Sequence, residues 1–255
     1  MIEWAAKEGW NPGLYDADAF YSINKKGYLL GFLDNQPIAS ISAVSHCNDF
    51  GFLGFYIVKP EYRGKGYGYK IWNEAIKYLS TQNIGLDGVV AQQENYTKSG
   101  FKLAFRNIRF EGHGSDEKIN ENKNIKLLSD IDFDLVCKYD KEIFLHDRKK
   151  FLNLWIKQPE SLAISYLKNN GLLGYGMVRK CRVGYKVGPL FANSDNIAKE
   201  LFKRMRVYIG KKNLIYLDVP EPNKNAVSLA KKYQMKPMFE TARMYTKEFP
   251  KIHIK

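Results

Sequence analysis

The sequence predicts an α/β (α+β) protein built from two similar halves, and three observations carry this prediction. An apolar, β-branched run over residues 52–58 stops at Pro60, and a glycine loop and a helical stripe follow, so a strand leads into a helix. Strand-like and helix-like segments also alternate over residues 125–245. Finally, the ends of the two halves share their spacing, which indicates a weak internal repeat of about 120 residues.

The first predicted helix follows the glycine loop directly. Its apolar residues stand at i, i+1, i+4, i+5 and i+8, namely Ile71, Trp72, Ala75, Ile76 and Leu79. The first N–H groups of a helix lack intrahelical partners, and the helix dipole favours negative charge at that end. Because glycines also let the backbone approach a ligand closely, this loop predicts an anion site.

The loop itself has an arginine and three evenly spaced glycines, Gly64, Gly66 and Gly68. This spacing excludes the nucleotide-hydrolase phosphate loop and the dinucleotide-binding fingerprint. Together with Val58, Pro60 and Arg63, it resembles motif A of the GCN5-related N-acetyltransferase (GNAT) family. The resemblance implies that acetyl-coenzyme A (acetyl-CoA) binds here as co-substrate. The implied binding residues are Tyr56, Ile57, Val58, Arg63, Gly64, Lys65, Gly66, Tyr67, Gly68 and Tyr69.

A second segment supports the same resemblance. A strand pattern over residues 86–91 is followed by Tyr96 and then by Lys98-Ser99-Gly100-Phe101, similar to the closing motif of the family. The usual longer lead-in is missing, so the helix that carries Tyr96 should be short. The resemblance implies that Tyr96 donates a proton to the departing thiolate, since a phenol is neutral at pH 7. The alternative is an aromatic ring that only packs a helix on the sheet.

The general base is less clear from the sequence. An alkyl amine is neutral only to about one part in 2,500 at pH 7, so a base or a chain of waters is useful. Asp87 and Glu94 are the candidates, with a water chain as the alternative. Asp218 occupies the place of Asp87 in the second half, which suggests a structural role for both. Since no His, Cys and Asp grouping has metal-ligand spacing, no metal is predicted.

Matching positions define the two halves. Leu86-Asp87 corresponds to Leu217-Asp218, and the nine-residue step from Gly100 to Arg109 corresponds to the step from Gln234 to Arg243. The predicted first domain spans residues 1–112, a polar linker spans 113–124, and the second domain spans 125–255. In the second domain the patterns predict helices over 127–144, 147–155 and 197–208, a hairpin turning at residues 169–171, and a strand over 185–191.

The resemblance therefore implies tandem GNAT-like domains, each with a mixed, mostly antiparallel central sheet flanked by helices. The second copy is expected to be degenerate. Residues 190–209 contain no glycine, and they have no arginine at the position that Arg63 takes in the first half. Ser194 or Asp195 should cap the next helix with its own oxygen, and an aspartate there would repel phosphate. Ala230 stands where the first half has Tyr96.

Composition limits the partners. The 255 residues carry a formal charge of +13, but the Lys and Arg residues are scattered and no zinc-finger, helix-turn-helix or RNP signature occurs, so nucleic acid is an unlikely partner. No apolar run is long enough to cross a membrane and the N-terminus lacks a signal-peptide pattern. Three cysteines without paired spacing indicate reduced thiols, so we expect a cytoplasmic protein without membrane attachment.

Taken together, the sequence predicts an acetyl-CoA-dependent N-acetyltransferase that acts on a small-molecule amine or a protein amine. The alternative is a catalytically idle coenzyme A-binding or nucleic-acid-associated protein on the same fold. The sequence leaves the acceptor and the oligomeric state open.

Overall fold

The computed structural model describes residues 1–144 and 146–250, which divide into two compact units. The first unit contains Met1–Pro12, Ala17–Phe105 and Thr241–Pro250, and the second contains Gly13–Asp16 and Arg106–Glu240. These units differ from the predicted domains at their ends, since residues 106–112 belong to the second unit and residues 241–250 to the first. The prediction assigns the last strand of each half to that half. In the structure, most of the last strand of the first half belongs to the second unit, and residues 241–245 of the last strand of the second half belong to the first unit.

In chain order, the helices are α1 (Ile2–Lys7), α2 (Asp16–Ile23), α3 (Tyr67–Tyr78), α4 (Gln93–Lys98), α5 (Phe133–Phe144), α6 (Lys149–Trp155), α7 (Asp195–Ile209) and α8 (Lys224–Lys232). The strands are β1 (Tyr28–Leu33), β2 (Gln36–Ser45), β3 (Phe50–Val58), β4 (Asn83–Val89), β5 (Lys102–His113), β6 (Ile125–Leu127), β7 (Ser161–Lys168), β8 (Gly171–Lys180), β9 (Tyr185–Ala192), β10 (Leu214–Pro220) and β11 (Lys236–Tyr245). None of the described helices is long and apolar enough to span a membrane.

The sheet of the first unit has the strand order β1-β2-β3-β4-β11. The pairs β1–β2, β2–β3 and β4–β11 are antiparallel, whereas β3 and β4 run parallel. Helix α3 packs on this sheet through buried Ile71, Trp72 and Ala75 and half-buried Ile76, and its C-cap residue Leu79 is also buried. The predicted apolar stripe is thus confirmed, and each large apolar side chain buried there stabilises the unit by about 1.5–3 kcal/mol.

The sheet of the second unit has the order β5-β10-β9-β8-β7-β6, with one parallel pair, β9–β10, among antiparallel neighbours. Helix α7 covers it with buried Leu201, Phe202 and Met205. The predicted hairpin is confirmed, because Asn169 and Asn170 both have positive φ, as a two-residue type I′ turn requires. The two units thus have the mixed, mostly antiparallel sheets that the sequence predicts.

The predicted start of the helix at residue 127 is wrong. Residues 125–127 form strand β6, which pairs with β7, and α5 begins only at Phe133. The Asp132 carboxylate accepts a hydrogen bond from the Asp134 amide (3.0 Å), and such local side-chain bonds favour a helix start at this point. The next helix begins at Lys149 rather than at Asp147, whose carboxylate accepts from the Lys149 amide at 2.8 Å.

Candidate active site

A gap between two parallel strands defines the candidate site in the first unit. The ladder between β3 and β4 joins residues 50–53 to residues 83–86. Beyond it, β3 continues beside β2, whereas β4 continues beside β11. The two strands therefore separate after Leu53 and Leu86, and the opening between them lies directly before the glycine loop that follows β3.

A backbone irregularity changes the direction of β3 where this opening begins. Phe55 has φ of 49°, an unusual conformation for a bulky residue, and its carbonyl accepts a hydrogen bond from Ser40 Oγ (3.0 Å) on β2. The register of β2 and β3 shifts at the same place, which is typical of a β-bulge. The Lys59 amide bonds to the Ile38 carbonyl of β2 (2.9 Å), so by alternation the polar backbone groups of Val58 face away from β2.

The loop after β3 leads into an uncapped helix. Gly64 and Gly66 have φ of 74° and 80°, so both occupy the left-handed region that L side chains rarely adopt. Gly66 is the N-cap of α3, and no side chain of the described residues caps this helix. The amide groups of its first turn are consequently available to an anion, with the helix dipole in support.

The two cations of the loop are engaged locally. Arg63 Nε donates to the Val58 carbonyl (2.8 Å), and its Nη2 forms an ion pair with Glu8 on the segment after α1. Lys65 Nζ donates to the Glu61 carbonyl (2.9 Å) and lies 5.8 Å from the centroid of the Tyr62 ring. Arg63 therefore ties the loop to the end of β3, and both side chains add positive charge beside the N-terminus of α3.

Helix α3 approaches β3 very closely at its first turn. A Cβ atom on Gly68 would lie 2.6 Å from Tyr56 Oη and 3.1 Å from Val58 Cγ2, so a larger residue at this position would have to displace the Tyr56 side chain. Tyr67 packs edge-on against Tyr62, with ring centroids 6.2 Å apart. Tyr69 is 67% exposed, so its side chain points to solvent.

An aromatic stack places Tyr96 against α3 and β4. Its ring stacks on Trp72 (centroids 5.5 Å apart), and Trp72 also contacts Tyr56 (5.2 Å). Tyr96 is 8% exposed, and a Cβ on Gly88 of β4 would lie 2.3 Å from its ring. Burial raises the pKa of Tyr96 to about 12, with a smaller contribution from the Tyr56 phenol, so Tyr96 keeps its proton at neutral pH. The helix that carries it is short, as expected from the missing lead-in.

Asp87, a predicted candidate for the base, is held by an arginine from the last strand. Both Asp87 oxygens accept from Arg243 on β11, at 2.6 Å from Nε and 2.7 Å from Nη2. The two residues stand directly opposite each other in the β4–β11 ladder. A guanidinium that engages both oxygens fixes the position of the carboxylate. This geometry favours a structural role for Asp87.

Glu94, the other candidate for the base, lies on the exposed side of α4. Residues two positions apart on a helix do not face each other, so its carboxylate points away from the buried ring of Tyr96. The structure therefore brings Tyr56, Trp72 and Tyr96 together at the gap but leaves Glu94 outside this group.

The second unit also has one parallel strand pair, but side chains of the protein bond to the backbone where these two strands separate. Parallel pairing of β9 with β10 ends at Val187 and Leu217, and the next carbonyl, of Gly188, accepts from Trp155 Nε1 (3.0 Å) and Arg179 Nη1 (3.4 Å). Ser194 caps α7 by accepting from the Ile197 amide, which confirms the predicted side-chain cap. Ala230 is buried at the position equivalent to Tyr96.

Three contributors to the site escaped the sequence reasoning. The apolar stripe predicts only that Trp72 packs on the sheet, the bulge at Phe55 has no local sequence signal, and Arg243 lies almost 150 residues beyond Tyr96. A signal for Arg243 did exist, namely the equal spacing that pairs it with Arg109. Recognising its partner, however, requires knowing that β11 joins the first sheet.

Comparisons with known proteins agree with this geometry. Residues 1–101 match the Acetyltransferase (GNAT) family, and residues 136–254 match the Acetyltransferase (GNAT) domain. The chain is 29% identical over 248 residues to holothin acyltransferase of Pseudoalteromonas sp. (strain SANK 73390), which covers 97% of this chain and 84% of that protein.

Solved structures share the fold. A proposed acetyltransferase of Pyrococcus horikoshii has a TM-score of 0.79 at 22% identity, covering 93% of this chain and 79% of that one. A tandem GNAT protein from the clavulanic acid biosynthesis pathway has a TM-score of 0.64 at 9% identity, covering 95% and 91%. With one family match on each half and a tandem protein among its structural neighbours, this chain belongs to the GCN5-related N-acetyltransferase superfamily, as an acyltransferase of the tandem form.

Proposed function

We propose that this protein is an N-acetyltransferase that uses acetyl-CoA as co-substrate and transfers the acetyl group to an amine. The observation that carries the proposal is the uncapped N-terminus of α3, reached through two left-handed glycines beside the β3–β4 gap. A pyrophosphate satisfies the amides that the protein leaves uncapped there. In this proposal the backbone of residues 64–69 binds the pyrophosphate, and Val58 offers its backbone groups to the thioester carbonyl and pantetheine. The Ile57 amide, which the sequence also assigns to this role, faces β2 by the same alternation.

The chemistry requires a neutral amine and a proton for the thiolate. The amine nitrogen attacks the thioester carbon, the C–S bond breaks, and Tyr96 donates its proton to the departing sulfur. Its raised pKa keeps that proton available at neutral pH. Since Arg243 engages both Asp87 oxygens and Glu94 faces outward, we propose that the proton of the amine leaves through water.

The second unit, in this proposal, binds no coenzyme A. Ser194 already satisfies an amide at the start of α7, and Asp195 places negative charge in its first turn. A phosphate there would compete with the Ser194 hydroxyl for the Ile197 amide and would meet a like charge. The proposed stoichiometry is therefore one acetyl-CoA per chain.

The acceptor we propose is a small-molecule amine. Support comes from the resemblance to holothin acyltransferase, which covers nearly the whole chain, so holothin is a first acceptor to test. A location in the cytoplasm stays a prediction from the cysteines, of which Cys181 is buried and Cys47 and Cys137 are half-buried.

The function is tested by thiol release from acetyl-CoA over a panel of holothin, polyamines, amino sugars and lysine peptides, with mass spectrometry of each product. We expect acceptor-dependent thiol release and a product heavier by one acetyl group. Binding of acetyl-CoA without turnover on any acceptor would favour the idle coenzyme A-binding alternative. Salt-sensitive binding of DNA without binding of acetyl-CoA would favour a nucleic-acid-associated protein.

A further inference from the structure

Arg243 lies where β3 and β4 separate. Asp87, which it holds by both oxygens, is the first residue of β4 beyond the parallel ladder with β3. The same guanidinium packs on Phe52 of β3 (5.2 Å to the ring centroid) and on Phe105 (5.7 Å). Its Nη1 also donates to Tyr245 Oη at 3.3 Å. One side chain thus contacts β3, β4 and its own strand β11 at the fork of the sheet.

We propose that Arg243 is a positioning residue for acyl transfer, which fixes the β3–β4 gap by clamping β4 to β11 and wedging against Phe52. This inference rests on the proposed function, because it assigns the gap to the acyl-CoA. β4 pairs with β11 from Gly85↔Tyr245 to Val89↔Thr241, and the bidentate pair joins the first two opposed residues of this ladder that lie beyond the β3–β4 pairing. Arg243 therefore acts through the strand and does not touch the reacting atoms.

The clamp also bears on Tyr96. Gly88 follows Asp87 directly, and its backbone lies so close to the Tyr96 ring that no Cβ would fit between them. A shift of β4 at Asp87 would therefore move the Gly88 backbone against the proposed acid. Loss of the clamp should change both the gap that holds the acyl group and the position of the phenol. A displacement of about 1 Å at a reacting centre can lower the rate by roughly a hundredfold.

The second unit supplies a matched control. Asp218 and Arg109 form the same bidentate pair, at 2.6 and 2.8 Å, between directly opposed residues of β10 and β5. The chemistry and the register are the same, but no acyl-CoA is proposed to bind in that unit. A purely structural contribution should be similar for the two pairs, whereas an effect on acyl transfer should appear only at Arg243.

The experiment compares Arg243→Gln, Arg243→Lys and Arg109→Gln in the full chain by thermal unfolding, calorimetry with acetyl-CoA and steady-state kinetics. We expect Arg243→Gln to lower kcat/KM by about a hundredfold, through both a higher KM for acetyl-CoA and a lower kcat. Arg243→Lys, which keeps the charge but loses the bidentate geometry, should recover part of the loss. Arg109→Gln should lower the melting temperature without changing KM for acetyl-CoA.

The outcomes separate the two levels of the proposal. Wild-type protein that binds acetyl-CoA beside an Arg243→Gln variant with unchanged KM and kcat would overturn the positioning role alone. Equal kinetic losses in Arg243→Gln and Arg109→Gln would also overturn it, since the effect would then reflect general stability. Wild-type protein that gives no binding heat with acetyl-CoA would instead overturn the proposed function, and the inference with it. If Arg243→Gln fails to fold, Arg243→Lys carries the same comparison.

Discussion

Replacing Gly66 by aspartate is expected to raise the Kd for acetyl-CoA by about two to four decades. Gly66 is the N-cap of α3 with φ of 80°, so its substituent would stand at the amides proposed for the pyrophosphate. An aspartate there caps these amides with its own carboxylate and repels the phosphates. Loss of even two charge-assisted hydrogen bonds, at about 1.5–3 kcal/mol each, accounts for a change of this size.

Gly66→Asn is the matched control, because it has the shape of aspartate and tolerates the left-handed conformation equally well but carries no charge. Calorimetry should show weaker binding in Gly66→Asp than in Gly66→Asn, and the difference measures the electrostatic part. Unchanged affinity in a folded Gly66→Asp variant would show that the loop does not bind the pyrophosphate.

Tyr96→Phe is expected to lower kcat by about a hundredfold to ten-thousandfold, the usual worth of a positioned acid. The phenylalanine keeps the stack on Trp72 but removes the only proton that the ring can donate. Because the contact matters mainly in the transition state, the Kd for acetyl-CoA should stay close to its wild-type value. The measurement is steady-state kinetics with an acceptor identified from the amine panel, beside calorimetry with acetyl-CoA.

A control variant and the dependence of kcat on pH define the role of the phenol. Tyr139 in the second unit also has a pKa raised to about 12 by burial, so Tyr139→Phe is the control, and it should leave kcat unchanged. An acid acts in its protonated form, so a pKa of about 12 keeps Tyr96 active until the pH rises well beyond the ordinary tyrosine value of about 10. A wild-type turnover rate in Tyr96→Phe would reduce Tyr96 to a packing residue.

Local patterns in the sequence predict the core of the site well. The path from β3 through Gly64 and Gly66 into α3 depends on neighbouring residues, so spacing alone reveals it. The short helix of Tyr96 and the cap at Ser194 are equally local and also agree with the structure. Each of these features is decided within a few residues, where backbone preferences and side-chain hydrogen bonds act directly.

Features that depend on strand pairing could not be predicted. The sequence matched Asp87 with Asp218 and Arg109 with Arg243, but it could not show that each aspartate binds the arginine of the other half. That exchange follows from β11 pairing with β4 and β5 pairing with β10, which are contacts between residues more than 100 positions apart. The late start of α5 has a similar origin, since residues 125–127 pair with β7 instead of extending the helix.

The most direct test of the central claim is a calorimetric titration of the full chain with acetyl-CoA, for wild type and Gly66→Asp. We expect one site per chain in the wild type, because only α3 of the two equivalent helices lacks a side-chain cap among the described residues. We also expect that site to be lost in Gly66→Asp. Two equivalent sites per chain, or a single site that survives in Gly66→Asp, would contradict the assignment of acyl-CoA binding to the first unit.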